Sequence, residues 1–501
     1  MSLKHFLRAE IVMNVAKSFG SLSAAFLLLL GNATAQISPD PAPKPNVIVI
    51  MADDLGYNDL GCYGGQDIPT PHIDSLAAEG LRFTSGYVTW PMCGPSRAGF
   101  LTGLHQSTFG YYKNVSQPLD PAQGLPQLET IASLMKSQGY ATGGVGKWHM
   151  GTTDAQRPES MGFDDWFGFY GGGLMYFPLD HPNYGGRFTP LKRPASGRDI
   201  QHTLPLVHNA QPVEWDQYLT RELTDAGVRF VKKNRDQPFF LFMSYNAPHL
   251  DLEAPEASIA KFPPESMSQI PGVQPQARSV YGAMVHEMDN GVGQLLATLD
   301  ELSLTERTVV WFLSDNGGLE RTSDNRPLRG GKKHPTEGGL RVPMIVKWPG
   351  KVTPGSVSDA PVISLDITAT SVAISGGDPV AAALHGKDLR DYLVGDTREV
   401  PNEVLYWNLG NSEKATAGAM REGDYKLILG KGKPQLYNLS QDISETQDLA
   451  SLEPERVQSM RVRWEAWNRG SRPPLWKDGR AFQYADYEWL KGSQHYRLKV
   501  R

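Results

Sequence analysis

Short apolar runs recur along the chain at intervals that leave room for a helix between them. Asn46 to Met51 (NVIVIM), Phe239 to Met243 (FFLFM) and Thr308 to Leu313 (TVVWFL) are nearly continuous; Val342 to Val346 is similar and Ala141 to Val145 weaker. Unbroken runs of this length fit strands buried on both faces. Helical patterns fall between them, at His72 to Glu79, Leu128 to Gln138, Glu222 to Asn234 and Ala277 to Leu302. The alternation predicts an α/β fold, a sheet sandwiched by helices. Met175 to Trp215 has no clear period and is rich in Pro, Gly, His and Arg, which predicts long loops of the kind that carry selectivity. Beyond a boundary segment, Gly376 to Asn402, come short strand patterns at Val404 to Trp407, Ala417 to Leu429 and Gln435 to Tyr437. A helical pattern at Pro454 to Asn468 then completes a small antiparallel α+β subdomain.

The polar residues are placed systematically against this frame. Asp53 and Asp54 follow the first strand, Lys147 and His149 the second, His249 the third, Asp315 and Asn316 the fourth. In open α/β sheets, ligands bind beyond the carboxyl ends of the strands. A single Asp or Asn after a strand is ordinary turn chemistry. Four strand ends bearing acid-, metal- or anion-competent groups predict one site assembled from distant sequence.

Composition narrows the class. Of 501 residues, 40% are hydrophobic and 21% charged, enough for a packed core. A formal net charge of −5 argues against a dedicated nucleic-acid binder. Two cysteines, Cys62 and Cys93, exclude a disulfide-built scaffold and a cysteine-rich zinc site. Residues 1–35 read as an export signal: Lys4, Arg8 and Lys17 flank the run Ser21 to Leu30, and Ala33-Thr34-Ala35 is an A-x-A cleavage site. Met13 is an alternative start and an uncleaved membrane anchor the alternative reading. Residues 36–45 form a proline-rich spacer. No later apolar run reaches the roughly 18 residues of a membrane span, so no stable membrane insertion is expected after cleavage.

Residues 93–97 are Cys-Gly-Pro-Ser-Arg, followed by Ala-Gly-Phe-Leu-Thr-Gly. Pro95 suits the first turn of a helix, which puts residue 93 near a helix N-terminus where backbone amides favour negative charge. This C-x-P-S-R stretch resembles the signature of the type I sulfatases of the alkaline-phosphatase superfamily. The resemblance extends over nearly the whole mature chain through MADDLG, PTPHIDSLAAEG, GKWHMG, the APH of 247–249, SDNGG of 314–318 and LRGGKKHPTEGGLRVP of 328–343. It implies a large mixed, mostly parallel sheet flanked by helices over residues 46–395, and a C-terminal subdomain over 396–501. Cys62 lacks this context and reads as structural.

The resemblance also implies the chemistry. Cys93 would be oxidised during export to Cα-formylglycine by a formylglycine-generating maturation enzyme. One hydroxyl of its hydrate attacks sulfur and releases the alcohol; deprotonation of the second re-forms the aldehyde and expels sulfate. Asp53, Asp54, Asp315 and Asn316, with the converted Cys93, would bind a divalent metal; hard oxygen ligands suit Ca²⁺, or Mg²⁺, better than zinc. By matched position, Arg97 stabilises the hydrate, Lys147 and Lys332 hold sulfate oxygens, and His149 assists the nucleophile. His249 contacts sulfate and helps protonate the leaving oxygen. Lys333 rivals Lys332, with the R-G-G-K spacing favouring the latter. The expected substrate is an external sulfated carbohydrate, with His181, Arg187, His202 and His208 as candidate sugar contacts. The expected location is periplasmic or secreted. Aryl sulfates, a phosphate or phosphonate ester hydrolase of the same superfamily, and a non-catalytic sulfated-glycan binder are the alternatives.

Overall fold

The computed structural model of the chain describes residues 44–115, 122–178, 181, 205–410, 417–430 and 432–476. The expected export segment, Arg187 and His202 lie outside them. In chain order the strands are β1 (Asn46–Ala52), β2 (Leu81–Phe83), β3 (Gly86–Tyr87), β4 (Ala141–Lys147), β5 (Asp165–Phe169), β6 (Val207–His208), β7 (Gln211–Pro212) and β8 (Phe239–Ser244). They continue with β9 (Thr308–Ser314), β10 (Met344–Lys347), β11 (Ser356–Ser358), β12 (Val362–Ile363), β13 (Val404–Asn408), β14 (Gly418–Glu422), β15 (Tyr425–Leu429) and β16 (Gln435–Asn438). The helices are α1 (Pro71–Ala78), α2 (Cys93–Thr102), α3 (Ile131–Ser137), α4 (Leu219–Lys233), α5 (Glu256–Ile259), α6 (Pro275–Glu301), α7 (Glu337–Leu340), α8 (Ser364–Ser375), α9 (Arg390–Leu393) and α10 (Pro454–Asn468).

The apolar runs form the centre of a ten-stranded sheet, ordered β11-β2-β10-β9-β1-β8-β4-β5-β6-β7. The run from β9 to β5 is parallel throughout, whereas β10 and the β6–β7 hairpin are antiparallel. Successive side chains of a strand point to opposite faces, and both faces here are covered. Ile48, Ile50, Leu241, Met243, Val310 and Phe312 pack with residues of α1, α4 and α6 in one core. Val47, Val49, Phe240, Phe242, Val309 and Trp311 pack with residues of α2, α3 and α8 in the other. That is why these segments read as continuous rather than alternating.

Two departures from the pattern have physical causes. The helix expected from Leu128 starts at Ile131, because Thr130 caps it: the Thr130 hydroxyl accepts the Ser133 amide (3.2 Å) and the Ser133 hydroxyl accepts the Thr130 amide (2.8 Å). Helix α8 was not expected. Every one of its residues is buried, so it has no polar face to mark a period.

The C-terminal strands β13 to β16 form an antiparallel meander. One face packs on α10 through Met420, Leu427, Leu436, Met460 and Trp464. The other joins Trp407, Leu405 and Ala419 to Tyr87, Leu340 and Ile363, and the Trp407 indole donates to the Val88 carbonyl at 2.7 Å. Among the described residues, no helix is long and apolar enough to cross a membrane.

Candidate active site

Parallel register brings the strand ends level. Ala52 lies beside Ser314, Met51 beside Ser244, and Ser244 beside Gly146. The residues that leave these strands, Asp53–Asp54, Asp315–Asn316, Lys147–His149 and Asn246–His249, therefore meet at one edge. Gly146 has φ +103°, and a Cβ there would lie 1.9 Å from the Ser244 carbonyl oxygen; only glycine permits this approach ahead of Lys147. Asp54 and His149 hold φ of 63° and 66°, a region non-glycine residues occupy at a cost and which clusters at functional sites.

Cys93 opens α2, with Met92 extended before it. Asn114 accepts the Gly94 amide at 2.9 Å and secures the helix start. The Cys93 Sγ lies 3.5 Å from Asp53 Oδ1 and 3.1 Å from Lys332 Nζ. Lys147 Nζ donates to Asp53 Oδ2 at 2.5 Å, and Lys332 Nζ to Asp54 Oδ2 at 2.7 Å. Arg97 reaches Asp315 through Nε (2.8 Å) and Ser244 Oγ through Nη1 (2.5 Å). Its Nη2 is 3.7 Å from Asp53 and has no hydrogen-bond partner. His249 Nε2 lies 3.7 Å from Asp54, while its Nδ1 contacts the Leu250 carbonyl. Both ring nitrogens of His149 are buried without a hydrogen-bond partner.

Three carboxylates and three fixed cations thus share a buried volume. Burial pushes Asp53 up to about 8, with Asp315 adding to it and Lys147 opposing. Burial acts the same way on Asp54, but Lys332 and His249 outweigh it and hold that carboxyl below the usual range. Lys332 goes well above its ordinary value: burial opposes this, and Asp54 and Cys93 outweigh burial. Burial lowers both imidazoles, helped at His149 by Lys147 and Arg97, so each is neutral at pH 7.

The donor set fits a hard cation. The Asn316 Nδ2 is spent on Asp54 Oδ1 (2.7 Å) and the Gly317 carbonyl (3.0 Å), leaving its Oδ1 buried with no donor. An orphan carbonyl oxygen beside crowded carboxylates is the arrangement a divalent ion resolves. Ligand atoms of Asp53, Asp54, Cys93 and His249 all lie within 4.8 Å of one another.

Every candidate named from the motif blocks is drawn into this cluster or its edge. Lys333 is not: it is exposed, while Lys332 is the residue at Asp54. Of the candidate sugar contacts, His181 stacks on Phe177 at 4.4 Å between ring centroids. His208 binds Asp165, which is level with Gly143 rather than with Lys147, and so lies away from the strand ends. Sequence reading missed Ser244, Asn114 and Tyr176. Ser244 had a signal, since it ends a strand as the others do.

Residues 45–377 match the sulfatase family model, and residues 331–464 the model for the N-sulphoglucosamine sulphohydrolase C-terminal region. The chain belongs to the type I sulfatase family, enzymes that hydrolyse sulfate esters. It is 34% identical to rat (Rattus norvegicus) steryl-sulfatase over 449 residues, covering 76% of this chain and 75% of that one. It is 32% identical to human arylsulfatase A over 461 residues, covering 84% and 87%. The solved structure of Ps i-CgsB superposes with a TM-score of 0.77 at 34% identity, covering 86% of this chain and 94% of that one. A second Ps i-CgsB structure, in complex with k-i-k-neocarrahexaose, also gives 0.77, at 33% identity and 91% and 98% coverage. The ten-stranded sheet is the alkaline-phosphatase-like fold of these relatives.

Proposed function

We propose that this sulfatase acts on an external, sulfated carbohydrate, with Cys93 matured to formylglycine and Ca²⁺ held by Asp53, Asp54, residue 93, Asp315 and Asn316. The observation that carries the reading is the placement of Cys93: the first residue of a buried helix, 3.1 Å from Lys332 Nζ and 3.5 Å from Asp53. A matured residue 93 would supply a hydrate nucleophile and an exit through the aldehyde, and a bound divalent ion would favour its ionised form. The chain's own residues do the rest. The Arg97 Nη2 and the His149 ring, both buried without a hydrogen-bond partner, would hydrogen-bond oxygens on residue 93. Lys147 and Lys332 present fixed positive charge to sulfate oxygens, preorganised by Asp53 and Asp54. His249, neutral in the free site, gains a proton more readily once an anionic ester sits beside it, and can pass it to the leaving oxygen. Residues 46–395 carry this chemistry and 396–501 support it.

The carbohydrate assignment is supported by Ps i-CgsB, whose structure holds k-i-k-neocarrahexaose. The test is protein from a host with a maturation enzyme, assayed in parallel on k-i-k-neocarrahexaose, an aryl sulfate and an aryl phosphate, with the mass of the peptide carrying residue 93. Sulfate release from the sugar with an aldehyde at residue 93 is expected. An unmodified thiol in active enzyme refutes the chemistry, and phosphate preference refutes the sulfatase assignment.

A further inference from the structure

Most site residues sit on a strand end or a helix start, but His249 is five positions past Ser244, the last residue of β8. Its position depends on the turn Asn246–His249, which closes with the His249 amide donating to the Asn246 carbonyl at 2.9 Å. The hydroxyl of Tyr176 lies 2.8 Å from that same Asn246 carbonyl and 2.9 Å from the His249 carbonyl, spanning both ends of the turn. Asn246 Nδ2 adds a bond to the Leu174 carbonyl at 2.8 Å.

Tyr176 is itself fixed without its hydroxyl. Its amide donates to Glu253 Oε2 at 2.7 Å, and its carbonyl accepts the Leu219 amide at 2.8 Å. Its ring stacks on Tyr218 at 5.5 Å and 20°, and the Tyr218 hydroxyl donates to the Glu253 carbonyl at 2.8 Å. The ring is fully buried. Removal of the hydroxyl therefore leaves the ring in place and frees only the turn. Burial, Tyr218 and Asp53 keep the phenol protonated, so it remains a donor over the working pH range.

We propose that Tyr176 is a positioning residue for His249, its hydroxyl pinning the 246–249 turn so that the imidazole reaches the leaving oxygen. This rests on the reading of His249 as the group that protonates that oxygen. The matured enzyme separates the two claims through a series of aryl sulfates running from 4-nitrophenyl sulfate, whose leaving group departs without a proton, to phenyl sulfate, which needs one. The measured quantity is the slope of log kcat/KM against leaving-group basicity. For His249→Ala the slope should steepen, with a loss of about 10²-fold or more on phenyl sulfate and far less on 4-nitrophenyl sulfate. For Tyr176→Phe the slope should steepen in the same sense but less, with about tenfold lost on phenyl sulfate, chiefly in kcat. The double variant should be no slower than His249→Ala alone. A parallel drop across the series in Tyr176→Phe, an unchanged slope, or an added loss in the double variant overturns the positioning role while leaving His249 its own. A His249→Ala slope equal to wild type removes the acid role and the proposal with it.

Discussion

Lys426 offers a sharp test of how the C-terminal meander supports the site. It lies on β15 with its side chain fully buried, Nζ 2.7 Å from Glu337 Oε1 and 3.2 Å from Glu445 Oε1. Glu337 also accepts the Tyr87 hydroxyl at 2.7 Å and Arg341 at 3.3 Å, and its amide donates to Glu445 at 2.8 Å. Glu337 begins α7, the end of the loop that carries Lys332; that loop is closed by Thr336 and Gly338 donating to the Arg329 carbonyl. Lys426→Met keeps most of the stem and removes the charge, leaving two buried carboxylates short of a counterion. Breaking a buried pair in this way costs about 3–5 kcal/mol.

The pH dependence has a definite sign. Burial raises the Glu337 carboxyl, but Lys426 and Arg341 outweigh it and bring it from its ordinary 4.5 to about 2. In the wild type this contribution is complete above about pH 4.5 and fades as pH falls toward about 2. Without Lys426 the folded-state value rises, so the stability deficit should be full at pH 7.5 and shrink below about pH 5, where protonated carboxyls need no cation. Urea unfolding of both proteins at pH 7.5 and 4.5 measures it. A deficit under about 1 kcal/mol at pH 7.5, or one equal at both pH values, would refute the reasoning.

Three further outcomes are expected. Cys93→Ala should lower turnover on the order of 10⁶-fold with the fold intact by circular dichroism; retained turnover would remove Cys93 from the chemistry. Asp315→Ala should reduce bound divalent metal per chain, read by atomic emission, and lower activity by more than about a hundredfold. Unchanged metal content would contradict its place among the ligands. Arg97→Lys cannot span Asp315, Ser244 and the Lys147 carbonyl together, and should cost about 1–3 kcal/mol of stability along with activity. A variant that melts and turns over like wild type would show that the bridging is dispensable.

Much of the candidate site is legible in the sequence. Strands buried on both faces leave unbroken apolar runs, and the acids, lysine and histidine just beyond Ala52, Val145, Ser244 and Ser314 marked where those runs stop. The motif at 93–97 then marked out Cys93, which the fold brings beside Lys332 and Asp53, and the R-G-G-K spacing separated Lys332 from Lys333. Other features left no local trace. Helix α8 is buried all round and so carries no period. Asn114 acts through one hydrogen bond to a residue 20 positions away, and Ser244, whose strand-end position was its one signal, bridges the Arg97 guanidinium and the Lys147 carbonyl. The site's electrostatics likewise depend on distance: Asp53 and Asp54 are neighbours in sequence, yet burial and Asp315 push the first carboxyl up against Lys147, whereas Lys332 and His249 outweigh burial at the second and hold it down. Periodicity and motif spacing record what a residue's near neighbours require. Which side chains share a buried volume, and therefore which charges and hydrogen bonds they impose on one another, is set only when parallel register brings distant strand ends level.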